Sequence, residues 1–168
     1  MATLRRGDTV LQRVIGALGR REGEPDRQFM TMPEVAPPEQ CPLKPPDAFG
    51  HSENMVGQFE RRTVLEDFDS GLEYVWTRAR HRQPVSAALL AAVSDFFLGA
   101  HKRSRGGTSL DNTLRLCSLH PTEWILCTTQ VAGFANGVMQ GSQCFFSQDG
   151  ALLAISSQSG LLPHTPNP

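Results

Sequence analysis

One helix laid on an antiparallel sheet, an α+β arrangement, is the fold class this sequence predicts, and two observations predict it. The first is the run Val85-Ser-Ala-Ala-Leu-Leu-Ala-Ala-Val-Ser-Asp-Phe-Phe-Leu98. It is rich in Ala and Leu and apolar on every face, the pattern of a helix enclosed by protein. The second is the series of segments behind it, 108–118, 123–134, 137–148 and 151–158, each β-branched, aromatic or alternating. A helix of that kind is covered on all sides only if the sheet curls around it, so a long central helix wrapped by a curved antiparallel sheet is expected.

The elements follow in order. Residues 9–18 read as one strand. The arginines from Arg5 to Arg21 also give the start the look of an amphipathic organelle presequence, which Gly7, Asp8, Gly16 and Gly19 weaken. Seven prolines, Pro25, Pro33, Pro37, Pro38, Pro42, Pro45 and Pro46, mark a linker from which no core is expected, because each removes a backbone donor and favours extended chain. Phe59–Leu65 and Tyr74–Arg82 read as strands, the latter with Arg78, Arg80 and Arg82 on a solvent face beside Tyr74 and Trp76. Pro84 suits the first turn of the helix, and Gly99 offers a stop before the polar loop 101–107. Asp149-Gly150 signals a two-residue type I′ hairpin and Asn136-Gly137 a second turn, so the last three strands form a meander.

Composition excludes several function classes. The 168 residues carry 16 Lys+Arg against 17 Asp+Glu, so no global field recruits nucleic acid and an anionic ligand must meet a local cluster. Cys41, Cys117, Cys127 and Cys144 have neither C-x-x-C spacing nor histidines in ligand register, so they read as reduced, packing thiols, with no metal expected. No apolar stretch approaches the roughly 20 residues of a membrane span. Asp95, alone inside the apolar run, is the informative residue. A buried carboxylate must be hydrogen-bonded, protonated or kept for chemistry at a pocket edge; the bland alternative is the helix's one wet position.

Several short motifs then occur together: Val93-Ser-Asp-Phe96, Ser109-Leu-Asp111, Glu123-Trp-Ile-Leu126, Gln148-Asp-Gly150 and Gln158-Ser-Gly160, with Trp76-Thr-Arg-Ala-Arg80 ahead of them. In this order they resemble the second half of the acyl-CoA thioesterase II family, double-hotdog enzymes that include the peroxisomal acyl-CoA thioesterases. The likeness runs from Gln28-Phe-Met-Thr-Met-Pro33, similar to that family's inter-domain linker, to Leu162. It implies a hotdog domain over 57–168, a linker over 23–56 and, over 1–22, a remnant last strand of a first hotdog whose other elements are missing.

The resemblance also implies a chemistry. The family's catalytic aspartate falls on Asp95, its Ser or Thr hydroxyl on Ser109 and its glutamine on Gln158. A carboxylate can orient and deprotonate water while a hydroxyl and an amide position it, which suffices for direct hydrolysis of a fatty acyl-CoA thioester without a cofactor. Lys102, Arg103 and Arg105 are the expected contacts for coenzyme A phosphates, or else a solvated loop. Asp111, two residues along a strand from Ser109, is expected on the same face, either as a second polar group at the site or as a turn-stabilising side chain. Two departures stand out: Asp111-Asn-Thr-Leu-Arg-Leu-Cys117 replaces an aromatic and histidine-bearing stretch, and the link from Phe97 to Thr108 is short. The ending Thr165-Pro-Asn-Pro168 is not a Ser-Lys-Leu address, so the expected location is cytoplasmic or peroxisomal, without a secretory signal. A lone hotdog leaves a sheet edge and face uncovered, so a homo-oligomer is expected, and a catalytically silent hotdog that binds acyl-CoA or pairs with a full-length thioesterase is the alternative.

Overall fold

A computed structural model of the chain describes residues 1–19, 26–45 and 54–163. Arg20, Arg21, Pro25, Pro46 and the ending from His164 lie outside the described residues. Strands β1 (Ala2–Arg6) and β2 (Thr9–Val14) make a two-stranded hairpin. This replaces the single strand expected over 9–18, because Gly7 at φ +58 lets the chain reverse. The same segment is therefore β and not an amphipathic helix.

The main sheet is antiparallel and six-stranded. Its members are β3 (Phe59–Asp67), β4 (Leu72–Ala79), β5 (Thr108–Leu116), β6 (Ile125–Ala135), β7 (Val138–Ser147) and β8 (Leu152–Leu161), ordered β3-β4-β6-β7-β8-β5. β6, β7 and β8 form the expected meander. The type I′ turn, however, lies at Asn136-Gly137, where both residues have positive φ (50 and 75) between the paired Ala135 and Val138. At Asp149-Gly150 only Gly150 (φ 89) is left-handed, and Ser147 N–H donates to Ala151 O at 2.9 Å, closing a three-residue loop instead.

The α+β class holds, but the helix is short. α1 spans Ala87–Ser94 and tightens into a 3₁₀ segment over Asp95–Ala100. Its N-cap is Ser86, whose hydroxyl accepts from Leu89 N–H at 3.1 Å, so Pro84 precedes the helix and does not occupy its first turn. Leu89, Leu90, Val93 and Phe96 face Phe59, Ile125, Cys127, Phe145 and Leu153 on the sheet. Ala87, Ala88 and Ala91 are exposed, so the helix is covered on one side only; its all-round apolar look comes from alanines, which tolerate water.

The opposite sheet face is covered by the linker, against expectation. Trp76, Trp124, Leu126 and Phe146 point away from α1 by strand alternation and pack with Cys41, Met32 and Val35. Trp76 Nε1–H donates to Ala36 O at 2.9 Å, and Lys44 N–H to Arg61 O at 2.8 Å, so the extended strap is stitched to β4 and to the β3 edge. Apart from one 3₁₀ turn at Pro38–Gln40 the strap is extended, and its prolines do not prevent such a chain from being buried. Of the three arginines expected on a solvent face, Arg80 and Arg82 are exposed but lie beyond the end of β4 at Ala79, whereas Arg78 is half-buried, bound by Glu60 and Glu123 with its guanidinium 4.4 Å from the Trp124 ring centroid. Of the four free thiols, Cys41 and Cys127 are buried, Cys144 is half-buried and Cys117 is exposed, so Cys117 is no packing residue. Burial pushes the Cys127 thiol up to about 12.

The 3₁₀ segment reaches the sheet where glycine permits it. A Cβ on Gly141 of β7 would strike Gln130 O and come within 2.9 Å of the Phe97 ring, and one on Gly160 of β8 would strike the Leu98 side chain. Gly141→Ala is expected to destabilise the domain by about 1–3 kcal/mol, since backbone and a fully buried ring must both move. Chemical denaturation checks this; an unchanged midpoint would show that the close approach is not needed.

Candidate functional site

Asp95 sits where α1 becomes 3₁₀, with φ −79 and ψ 0, and its N–H bonds to Ala92 O and Val93 O. Four and seven residues after the exposed Ala91 and Ala88, it falls on the helix face turned away from the sheet. Asp95 is exposed, so the expected buried carboxylate is corrected: it is the wet position of the apolar run, at the rim of a cavity. Ser109 Oγ–H donates to Asp95 Oδ1 at 3.0 Å, and Gln158 Nε2–H donates to the same oxygen at 2.8 Å and to Ser109 Oγ at 2.9 Å. The three predicted residues, from the helix end, β5 and β8, thus form one hydrogen-bonded triangle. Gln158 is only 3% exposed, and its Oε1 is buried without a partner among the described residues.

A β-bulge aims Ser109. Ser109 pairs with Gly160 and Asp111 with Ser159, which leaves Leu110 as the extra residue. Alternation is thereby shifted, and Ser109 shares the helix-facing side with Asn112, whose Nδ2–H donates to Ser94 Oγ at 2.8 Å. Asp111, expected beside Ser109, instead accepts from Ser159 N–H at 2.9 Å and stays out of the triangle. Asn112 was not foreseen as part of the site; its signal was only its place in the stretch that departs from the family pattern.

The cavity, about 460 Å³, is lined by Asp95, Ser109, Phe96, Leu98, Arg61, Arg105 and residues 54–56. The basic loop divides. Arg105 lines the cavity and donates from Nη2 to Glu66 Oε1 at 3.0 Å. Lys102 and Arg103 are exposed outside the lining, with Lys102 Nζ 5.5 Å from the Phe68 ring centroid and Arg103 Cζ 4.9 Å from that of Phe134. The loop is built and not merely solvated: His101, 5% exposed, takes Arg103 N–H on Nδ1 at 3.1 Å and so donates from Nε2 to Phe68 O at 3.2 Å, while Ser104 Oγ–H bonds Leu98 O at 2.8 Å.

Glu66 joins this loop to the strap. Lys44 Nζ, with a side chain 4% exposed, lies 2.6 Å from Glu66 Oε1 and 2.8 Å from Glu73 Oε1. Burial would raise the Glu66 carboxyl, but the hydrogen bond and charge of Lys44 and the charge of Arg105 outweigh it and hold Glu66 below the usual carboxylate range. Among the described residues no group of His, Cys, Asp and Glu has the arrangement of a metal site, and no helix is long and apolar enough to cross a membrane.

Residues 38–162 match the family model of the acyl-CoA thioesterase C-terminal domain. A Novosphingobium aromaticivorans protein carrying a provisional thioesterase description is 34% identical over 88% of this chain, with TM-score 0.79. A conserved protein of unknown function with hotdog fold from Alicyclobacillus acidocaldarius (24% identity, TM-score 0.69) and an acyl-CoA thioesterase II from Mycobacterium marinum (22%, TM-score 0.65) cover 88% and 86% of the chain. These two establish the hotdog fold. The chain spans 60% of the length of each of these three structures. No curated protein matches it.

A carboxyl held low by its partners stabilises the fold above its unfolded value, near 4.3, and loses that contribution as pH falls through the lower folded value. Glu66→Gln is therefore expected to lower the melting temperature at pH 7 and to flatten its decline below about pH 4.3, where the wild-type carboxylate takes up its proton. Parallel melting curves of the two proteins from pH 7 to pH 3 check it; parallel declines would mean that Glu66 carries none of the acid sensitivity.

Proposed function

The chain belongs to the acyl-CoA thioesterase C-terminal domain family, and on that basis we propose that it hydrolyses fatty acyl-CoA thioesters by direct attack of a water held at Asp95. The observation that carries this reading is the triangle of Asp95, Ser109 and Gln158, of which Asp95 and Ser109 line a cavity roomy enough for a thioester. Asp95 Oδ1 takes both protein hydrogen bonds, which leaves Oδ2 to accept one from water. As the water oxygen bonds the carbonyl carbon, its proton passes to Asp95. The tetrahedral intermediate then collapses with cleavage of the C–S bond, and the departing coenzyme A thiolate takes that proton. Ser109 and Gln158 hold the carboxylate aligned toward the water as its hydrogen-bond donors. A thiolate leaves readily, so no covalent enzyme intermediate is needed.

The remaining assignments follow from the same reading. Lys102, Arg103 and Arg105, on the loop beyond the 3₁₀ segment, meet the coenzyme A phosphates. β5 is the open edge of the sheet, exposed almost throughout with Leu110 and Leu116 bare, whereas the β3 edge is taken by the strap. A second copy of the chain covers that edge, and light scattering at micromolar concentration is expected to show a dimer; a well-folded monomer would refute this part.

With a dye that traps released thiol, Asp95→Asn is expected to lower turnover at least about 100-fold, the usual scale of a lost general base. Because Asp95 is exposed, its melting temperature is expected to stay nearly unchanged. Wild-type turnover in that variant would remove Asp95 from the chemistry, and a wild type that binds acyl-CoA without cleaving it would point to the silent binder instead. Replacing Lys102, Arg103 and Arg105 together by Ala is expected to raise KM about tenfold with kcat nearly constant, the pattern of lost uniform binding. An unchanged KM at low ionic strength would return the loop to a structural role.

A further inference from the structure

The same cavity holds a cation that the triangle does not use. Arg61 of β3 is only 7% exposed, with its guanidinium carbon 5.4 Å from the Phe96 ring centroid. No carboxylate pairs with it among the described residues, and its Nε is buried without a hydrogen-bond partner. A ring face offsets only a small part of what a guanidinium loses on leaving water, so a buried cation in this state calls for an anion. Arg61 lines the cavity together with Asp95 and Ser109.

The donors of the triangle are already engaged. The Ser109 hydroxyl hydrogen goes to Asp95, and the two Gln158 amide hydrogens go to Asp95 and to Ser109. When water attacks a thioester, the carbonyl electron pair moves onto oxygen, and it does so here beside a carboxylate. That oxygen needs a donor and a compensating positive charge, and neither comes from the triangle. The phosphates of coenzyme A are separated from the thioester by the whole pantetheine arm, so they are not what a cation in this cavity meets.

We propose that Arg61 receives the acyl oxygen: it donates to the thioester oxygen as that oxygen becomes anionic, and afterwards to the carboxylate of the released fatty acid. This rests on the thioesterase reading and adds to it a catalytic residue and a carboxylate site. The electron pair returns from oxygen when the C–S bond breaks, so Arg61 neither gives nor keeps a proton.

The test uses hexanoate, its uncharged analogue hexanamide, free coenzyme A and hexanoyl-CoA. In wild-type protein the ¹H–¹⁵N resonance of Arg61 Nε is expected to move on titration with hexanoate and not with hexanamide; this needs no variant, so it holds even if substitutions at this buried position unfold the domain. Arg61→Met is expected to weaken hexanoate about tenfold or more while leaving hexanamide and coenzyme A within about twofold, and to lower kcat for hexanoyl-CoA about 100-fold with little change in KM. A static Nε resonance, or a loss of coenzyme A affinity that would make phosphate the bound anion, overturns the proposal. The two readings fail separately. Turnover that survives Arg61→Met removes the role of Arg61 and leaves the hydrolase, whereas an inactive wild type whose Arg61 still captures hexanoate leaves the carboxylate site and removes the hydrolase.

Discussion

A sheet with two apolar faces must be covered twice, and the described residues hold a single α-helix, of eight residues, with which to do it. Strand alternation puts Ile125, Cys127 and Phe145 on one side and Leu126 and Phe146 on the other, so neither face can be left to water. The helix takes one face and the strap from Met32 to Lys44 takes the other. An extended segment full of proline suits the second task, since it needs no hydrogen-bond ladder of its own and gives up little backbone freedom when it docks. Its carbonyls are used where they fall, as with Ala36 O on the Trp76 indole.

The site follows from how the helix ends. Asp95 follows the exposed Ala88 and Ala91 by seven and four residues, so it shares their helix face, turned from the sheet, and sits at the rim. Phe96 and Phe97 of the 3₁₀ segment continue inward to pack against Phe59 and the glycine gap at Gly141. The carboxylate therefore stays wet while its neighbours in sequence anchor it from both sides. Gln158 holds the opposite position, buried on β8, so that one exposed acid is braced by one buried amide.

Much of this was legible in the residues, and the misses share a cause. The strands β3 to β8 stood out because alternation and turn dipeptides are local signals, and the triangle was nameable because five motifs kept their order. The bulge at Leu110 was not legible: it is a property of how β5 registers on β8, and without it the parity rule placed Asp111 where Asn112 belongs. Burial of the strap was invisible for the same reason, because proline content reports what the backbone cannot form and not what it lies against. The apolar run misled in the opposite direction, since alanine counts as apolar in the pattern and yet Ala87, Ala88 and Ala91 face water. Arg61, between Glu60 and Arg62, reads as one more charge in an edge strand; only its depth sets it apart from Arg62, which pairs with Glu60.

The strand order has a consequence for the order in which the protein assembles. β5 leaves the ribosome directly after the helix, but its partner is β8, the last strand, with β6 and β7 intervening. Pairings between distant parts of a chain are slow to form because the intervening loop must first be closed. Until β8 docks, Ser109 lies on an unpaired strand and Asp95 has no amide to hold it. The site is thus completed by the final pairing, and a chain still being synthesised carries the helix and the serine without the geometry that joins them.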